Sequence, residues 1–321
     1  MPDRPADAPN QPRYSGVRTF ANLPHVPLPA APRDERVDAA VLGAPFDTAT
    51  SFRPGARFGP EAIRSASALV RPYHPAHDIN VFETLTVVDG GDLAVTPGNA
   101  QRTAEQLDTG LQPIIRAGVV PLVLGGDHSV VLGELRAQAA VHGPVAVVLL
   151  DAHADVWDQY YGERYFHGTP FRRAVEEGLV DPSRSLFAGM RGPLYTRADV
   201  DAPSELGFEV IAGDQLRALS PADYAARVKA RVGDGPAYLS FDIDVLDPAF
   251  APGTGTPEVA GLQPREAIDL LRSLEGLRFS GFDVVEVSPP YDGPGQVTAL
   301  HAAAIAYELL ALLAVSTPTA R

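Results

Sequence analysis

The chain is expected to fold as one three-layer α/β domain, and three observations predict this. Strand-length apolar runs alternate with longer helical stretches along nearly the whole sequence, the pattern of right-handed strand–helix–strand crossovers. The strand candidates are near-continuous apolar runs, as in a parallel sheet covered by helices on both faces. And 321 residues, 45% hydrophobic and 21% charged, can bury one large core. No internal repeat interrupts the alternation.

In chain order, residues 1–36 are rich in Pro and Ala and are expected to form an N-terminal arm, with the domain spanning 37–321. Regular structure begins at "DAAVLGAPFD" (Asp38 to Asp47), a buried-strand pattern ending in a turn. "GPEAIRSASALV" then reads as a helix, "LTVVDGGDL" as a strand, "NAQRTAEQLDTGLQPIIRAG" as a helix and "VVPLVLGGD" as a strand. The helix "SVVLGELRAQAAVHG", the strand "PVAVVLLDAH" and the helix "FRRAVEEGL" follow. After them come the strands "SLFAGM" and "FEVIAG", the helix "SPADYAARVKARV" and the strand "PAYLSFDID". The helix "QPREAIDLLRSLEG", the strand "FSGFDVVEVSP" and the helix "TALHAAAIAYELLALLAV" close the chain. Each assignment rests on the length and continuity of its apolar pattern.

Composition excludes several functions. Forty acidic residues against 26 basic ones give a net charge of −14, so nucleic acid and anionic membranes are poor partners. The absence of Cys removes disulfides, thiolate metal sites and Cys nucleophiles. No apolar run is expected to reach the ~18 residues of a membrane span. The polar, Pro-rich start does not read as a signal peptide, and a cytoplasmic location is expected.

Four apolar strands end in chemistry: "VLGGDHS", "VVLLDAHAD", "YLSFDIDVLDP" and "VVEVSPP". In an open parallel sheet, ligands bind beyond the carboxyl ends of the strands. Side chains alternate along a strand, so Asp151 and His153 can face one direction, and so can Asp242 and Asp244. Asp155 joins them if its loop curls back. With His128 the set comprises four carboxylates and two imidazoles. Carboxylates packed this closely repel, and several would take up protons. Two divalent cations remove the problem. Oxygen-rich ligands with two imidazoles suit Mn²⁺, and Zn²⁺, Ni²⁺ or Co²⁺ could also bind. Two such ions about 3.5–4 Å apart acidify a shared water and create a nucleophile at neutral pH. Singly, "DAHAD" reads as a capped loop, "DID" as a solvated turn and "GGDHS" as a turn with Ser129 capping a helix. All three in this order, each after an apolar strand, point to metal.

"GGDHS", "DAHAD" and "SFDIDVLDPAFAPGTGTPE" resemble the three signatures of the ureohydrolase family: arginases, agmatinases and related guanidino-acid hydrolases. "SFRPGARFGPEAIR" (Ser51 to Arg64), "HGTPFRRAVEEGL" and "GFDVVEVSPPYD" extend the resemblance over roughly Val37 to Leu313. It implies an arginase-like three-layer α/β/α sandwich with a central, mainly parallel eight-stranded sheet, a pair of Mn²⁺ ions per chain, and a homo-oligomer, trimer or hexamer. It also implies that His128, Asp151, Asp155 and Asp242 hold one metal. Asp151, His153, Asp242 and Asp244 hold the other. Glu286 matches the family glutamate that grips the guanidinium, as a forked planar cation requires. His167 matches the histidine placed near the leaving nitrogen, where a group titrating near working pH can supply a proton. Asp155, His167 and Glu286 are thus the expected catalytic groups. Asp127 and Asp247 are expected to support the ligands without binding metal.

The implied reaction is hydrolysis of a guanidino group to urea and an amine. The loop "VWDQYYGERYFHGTPF" lacks the Asn and Ser residues with which arginase-like loops read an α-amino acid, and "GERYFHGTPF" and "SFRPGARFGP" are similar to the agmatinase branch. Asp158 or Glu163 is expected to hold the amine of agmatine, or Arg164 a carboxylate tail. Agmatine is the expected substrate. 4-Guanidinobutanoate, 3-guanidinopropionate, proclavaminate-type compounds and free guanidine are the alternatives. A rival of a different class is an inactive metal-binding subunit, which would be expected to lose ligands that this chain retains. A deacetylase-like enzyme of the same fold would use one metal and leave Asp155 and Asp244 without a reason to be acids.

Overall fold

The computed structural model describes residues 12–27 and 37–316. Its strands are β1 (Ala39–Gly43), the short antiparallel ribbon β2 (Tyr73–His74) and β3 (Ile79–Asn80), β4 (Val87–Asp92), β5 (Val120–Leu124), β6 (Ala146–Leu150), β7 (Leu186–Met190), β8 (Glu209–Ala212), β9 (Ala237–Asp242) and β10 (Phe279–Val285). All but the ribbon form one eight-stranded sheet, ordered β4-β1-β5-β10-β9-β6-β7-β8, in which every pairing is parallel. β1, β6, β9 and β10 are buried throughout, which is why their sequences run apolar without alternation.

Alternate residues of each strand feed opposite layers. Val148 and Leu150 pack in one cluster with residues of α8 (Pro221–Val232), α9 (Pro264–Ser273) and α10 (Val297–Ser316). Val147 and Leu149 pack on the other face, with residues of α4 (Val131–His142) and α5 (Pro170–Glu176). α3 (Ala100–Arg116) supplies Leu107, Leu111, Ile114 and Ile115 to a neighbouring cluster on that face. α1 (Gly59–Ala66) contributes Ile63 to the first layer, and α2 (Val81–Thr84) is a single turn after the ribbon. The layers and the eight strands are those expected from the apolar runs.

Three features depart from the sequence expectations. The segment between β7 and β9 holds α6 (Arg197–Glu205) and α7 (Gly213–Ala218), neither of them anticipated. α6 buries only Pro203 and shows no apolar stripe; it starts at Thr196, whose N–H donates to Asp199 Oδ2. α7 is too short to display a period. Next, α10 is long and apolar enough to cross a membrane by length and composition, contrary to the expectation that no run reaches that length. Some 72% of its apolar window is buried within the fold, so its apolarity is that of a core helix.

The third concerns the expected arm. Residues 1–11 and 28–36 lie outside the described residues, but the stretch between them is docked. Phe20 is fully buried and its N–H donates to Asp89 Oδ2 at 2.8 Å. The Val26 N–H donates to the Asp89 carbonyl, and the Asp89 N–H to the Pro24 carbonyl. This covers β4, an edge strand whose backbone would otherwise lack a partner. The joint is a buried ion pair. Arg64 reaches Asp89 at 2.9 and 3.1 Å, and Asp92 at 2.6 Å. Replacing Asp89 by Ala strands most of a buried guanidinium, so unfolding free energy in urea should fall by about 3 kcal/mol. A loss below about 1 kcal/mol would show that the joint contributes no more than a surface pair.

Candidate functional site

β5, β10, β9 and β6 are consecutive in the sheet, so the turns leaving their carboxyl ends lie within roughly 15 Å of one another at ~4.8 Å per strand. Each turn delivers part of one cluster. After β5 the chain passes so close to Phe46 that a Cβ on Gly126 would sit 1.7 Å from the Phe46 carbonyl oxygen. Only glycine fits there. The next residue, Asp127, accepts from the Ala49 N–H at 2.9 Å and the Ser129 N–H at 3.0 Å. It therefore organises the loop, and burial with the nearby Glu286 charge pushes it up to about 7. A short 3₁₀ turn then begins at His128.

His128 Nδ1 lies 3.1 Å from Asp151 Oδ2, 3.0 Å from Asp155 Oδ2 and 3.3 Å from Asp242 Oδ2. His153 Nδ1 lies 3.1 Å from Asp244 Oδ2 and 3.6 Å from Asp151 Oδ1. The six residues singled out in the sequence thus converge, with Asp151 common to both groups. Asp155 arrives by a backbone of φ +50°, the curl its position required. Backbone donors fix the carboxylates: Ala152 N–H to Asp244, His153 N–H to Asp151 and Asp244 N–H to Asp242.

Support from below comes from residues that the sequence reading missed. His128 Nε2 meets Ser240 Oγ at 2.9 Å, Ser240 donates to Asp283 Oδ1 at 2.7 Å, and Tyr238 donates to Asp283 Oδ2 at 2.9 Å. This chain of bonds turns Nδ1 of His128 towards the carboxylates. Its only trace in the sequence is that polar residues interrupt two apolar strands. Ser240 stands two residues before Asp242 on β9, and Asp283 three before Glu286 on β10.

The cluster is electrostatically unsettled without a counter-charge. Burial, then Asp244 and Asp151, raise Asp242 well above the carboxylate range. Burial opposes charging of His128, yet Asp151, Asp155 and Asp242 together raise it. Burial works against ionisation of Asp151 as well, but His128 and His153 lower its pKa. Two buried atoms at the centre, His128 Nδ1 and Asp151 Oδ2, have no hydrogen-bond partner. An orphaned imidazole nitrogen facing carboxylate oxygens is a donor set that fits divalent cations. A separate group, His74, His77 and Glu308, is different. Arg272 takes both oxygens of Glu308, at 2.9 and 2.5 Å.

Glu286 follows β10 with φ +62°, a conformation costly for a residue with a side chain. Its Oε1 accepts from the His128 N–H at 2.8 Å and faces His167 Nδ1 at 2.9 Å. Its Oε2 is buried and has no partner. The Ser51 N–H points at His167 Nε2 at 3.0 Å. Nε2 is therefore the acceptor of the neutral ring and Nδ1 carries the hydrogen.

A cavity of about 290 Å³ opens over these groups and is lined by His153, Asp155, His167, Asp242 and Glu286. Asp158, Glu163 and Arg164, expected to read the substrate tail, do not line it. Arg164 is half exposed and pairs with Asp158 at 3.2 Å and Glu176 at 2.9 Å. Arg173 also takes Asp158, at 2.6 Å. Glu163 is exposed on a turn closed by paired backbone bonds with Tyr160. The physical reason is that the loop packs Trp157, Tyr160 and Phe166 against one another, Trp157 stacked on Tyr160 and Tyr160 tilted against Phe166, and leaves its charges in solvent. Asp247 accepts from Ala249 and Gly261 N–H groups and shapes the following loop. The outer cavity is walled instead by residues 190–212, a stretch to which the sequence analysis assigned no role.

Comparison with known proteins agrees with this arrangement. The arginase family profile matches residues 37–312. The chain is 46% identical to a mitochondrial agmatinase of Gallus gallus, over 89% of this chain and 84% of that one. It is 44% identical to a guanidinobutyrase of Pseudomonas aeruginosa, over 97% and 96%. The solved proclavaminate amidino hydrolase of Streptomyces clavuligerus superposes with a TM-score of 0.88 at 43% identity, over 96% of this chain and all of that one. With the family signature, these relatives and this fold in agreement, the chain belongs to the arginase family, the ureohydrolases.

Proposed function

We infer that this chain is a guanidino hydrolase releasing urea and an amine, and between substrates with charged tails we propose agmatine ahead of guanidino acids. One observation carries the reading. Glu286 lines the same cavity as the carboxylate–imidazole cluster, and its buried Oε2 has no partner. Such an oxygen is an acceptor waiting for a cationic N–H. His128, Asp151, Asp155 and Asp242 would hold one divalent cation and Asp151, His153, Asp242 and Asp244 the other, with Asp151 and Asp242 shared. When bound, the pair supplies an acidified water as nucleophile and charge stabilisation at the attacked carbon. Mn²⁺ is the proposed native pair, and the oxygen-rich donor set supports it. A homo-oligomer, as the family implies, belongs to the same reading.

The remaining work falls to the chain's own side chains. Glu286 Oε2 accepts from the guanidinium, while the bonds at Oε1 stop the carboxylate from rotating away. The neutral His167 carries its hydrogen on Nδ1, beside Glu286, so its Nε2 can take up a proton and, as the imidazolium, return it to the departing amine; burial opposes that charge, but Glu286, Asp155 and Asp127 raise the pKa. Two observations support agmatine over an acid. Net charge is −14, and Arg191, the cation among the described cavity-lining residues, gives its N–H groups to backbone carbonyls. The guanidinobutyrase relative supports the guanidino acid as second reading. An inactive subunit fits poorly with a chain that keeps all six ligand residues, Glu286 and His167.

Metal analysis after reconstitution with Mn²⁺ should approach two equivalents per chain; a firm value of one would refute the binuclear arrangement. His167→Ala should retain both metals while kcat for urea release drops by about 10²–10⁴, and loss of metal would mark His167 as a ligand. Because Arg164 faces solvent in an ion-pair network, Arg164→Ala should leave kcat/KM for agmatine and for 4-guanidinobutanoate within about twofold. A tenfold loss on the acid alone, about 1.4 kcal/mol, would reverse the order proposed for the two.

A further inference from the structure

We propose that the substrate's tail is read by an apolar wall, so that monosubstituted guanidines with an uncharged alkyl tail are turned over at least as well as agmatine. The proposal rests on the hydrolase reading above and adds a substrate class to it.

The cavity has two unlike ends. Its floor is the acid–imidazole cluster with Glu286 and His167. Beyond them it is lined by Trp157, Met190, Leu194, Val200, Pro203 and Val210. These come from the loop after β6, the end of β7, the loop after it, α6 and β8. Trp157 is held before any ligand arrives. Its indole stacks on Tyr160 with centroids 4.9 Å apart and planes 12° apart. The ring also covers Gly168, where a Cβ would lie 3.1 Å from it, and the backbone N–H of Trp157 donates to the Gly168 carbonyl at 3.0 Å. A wall fixed in this way loses little entropy on binding.

Apart from the floor groups, two charged side chains line the cavity among the described residues, Arg191 and Asp199; the Arg191 donors and one oxygen of Asp199 are engaged. Arg191 Nε donates to the Val259 carbonyl at 3.0 Å and Nη1 to that of Val245 at 3.2 Å. Its Nη2 donates to the Asp244 and Glu258 carbonyls at 2.7 and 2.8 Å. Asp199 Oδ2 accepts from the Thr196 N–H and hydroxyl at 2.7 and 3.0 Å. A further carboxylate, Glu258, stands 4.0 Å from His153 Nε2 and is not among the lining residues. A tail carboxylate placed here finds the Arg191 donors already taken, and a tail ammonium meets only the half-satisfied Asp199 carboxylate, so neither recovers its lost hydration in full, whereas each methylene gains from leaving water.

The test is a series on the metal-loaded protein: methyl-, propyl- and pentylguanidine, with agmatine and 4-guanidinobutanoate. kcat/KM for urea release should rise about fourfold per added methylene, the equivalent of ~0.8 kcal/mol, and pentylguanidine should equal or exceed agmatine, which has the same length. Installing a carboxylate in the wall by Val200→Asp, at an exposed helix position that can accept it, should raise the agmatine-to-pentylguanidine ratio at least fivefold. A flat neutral series, a tenfold advantage of agmatine over pentylguanidine in the unmodified protein, or an unchanged ratio in Val200→Asp would each overturn the proposal. Calorimetric Kd values for the same compounds separate it from the hydrolase reading. A chain-length slope in Kd without urea release would uphold the wall and refute the hydrolase. Urea release with no slope would refute the wall alone.

Discussion

Concentrated buried negative charge is the constraint on which the rest of this structure depends. Asp151, Asp242 and Asp244 are all but inaccessible to solvent, and carboxylates in such positions resist simultaneous ionisation. They can be held together only on a base that does not yield. Adjacent parallel strands, apolar on both faces and paired along their length, provide one. Bonds at the strand ends aim the acids. Backbone N–H groups of their own turns hold Asp151 and Asp242, the Ala152 N–H of the neighbouring turn holds Asp244, and the Ser240–Asp283 pair beneath orients His128.

Two of the described residues with a left-handed backbone lie at the same place. Asp155 and Glu286 both occupy the left-handed region, which costs about 1–2 kcal/mol for a residue with a side chain. Glu286 is kept there by its N–H bond to the Gly126 carbonyl and by the two contacts at Oε1. One carboxylate oxygen is thereby immobilised and the other left free. The turn after β5, pressed against Phe46 at Gly126, and the turn after β10 are thus parts of one device. Displacing either would move the free oxygen relative to the cluster.

The two ends of the cavity differ because different parts of the fold build them. Sheet ends make the floor, where positions are set by strand pairing over the whole domain. Loops and the short helix α6 make the outer wall, where few buried contacts constrain the residue types. A chemistry common to the family and a tail preference particular to one chain can therefore reside in a single cavity.

Much of this was legible in the residue pattern, for a physical reason. A strand buried on both faces is apolar at most positions, so the strands leave a local trace, clearest in β1 and β6. An acid or histidine at or just past the end of such a run stands out against it, as His128, Asp151, His153, Asp155, Asp242 and Asp244 do, whereas His167 and the role of Glu286 were legible only through the resemblance to the family. The helices α6 and α7 left no comparable trace, since one buries almost nothing and the other is a turn and a half. For Asp158, Glu163 and Arg164 the sequence determined only that charges occupy the loop; their direction followed from aromatic packing of Trp157, Tyr160 and Phe166. The pairing of Ser240 with Asp283 and the meeting of residues 157 and 200 in one wall were likewise decided by tertiary structure. These contacts join positions 43 residues apart along the chain, in different strands or loops. Local composition reports what a residue needs, such as burial, charge or a turn, while its partner is chosen by the strand order and by the layers packed against it.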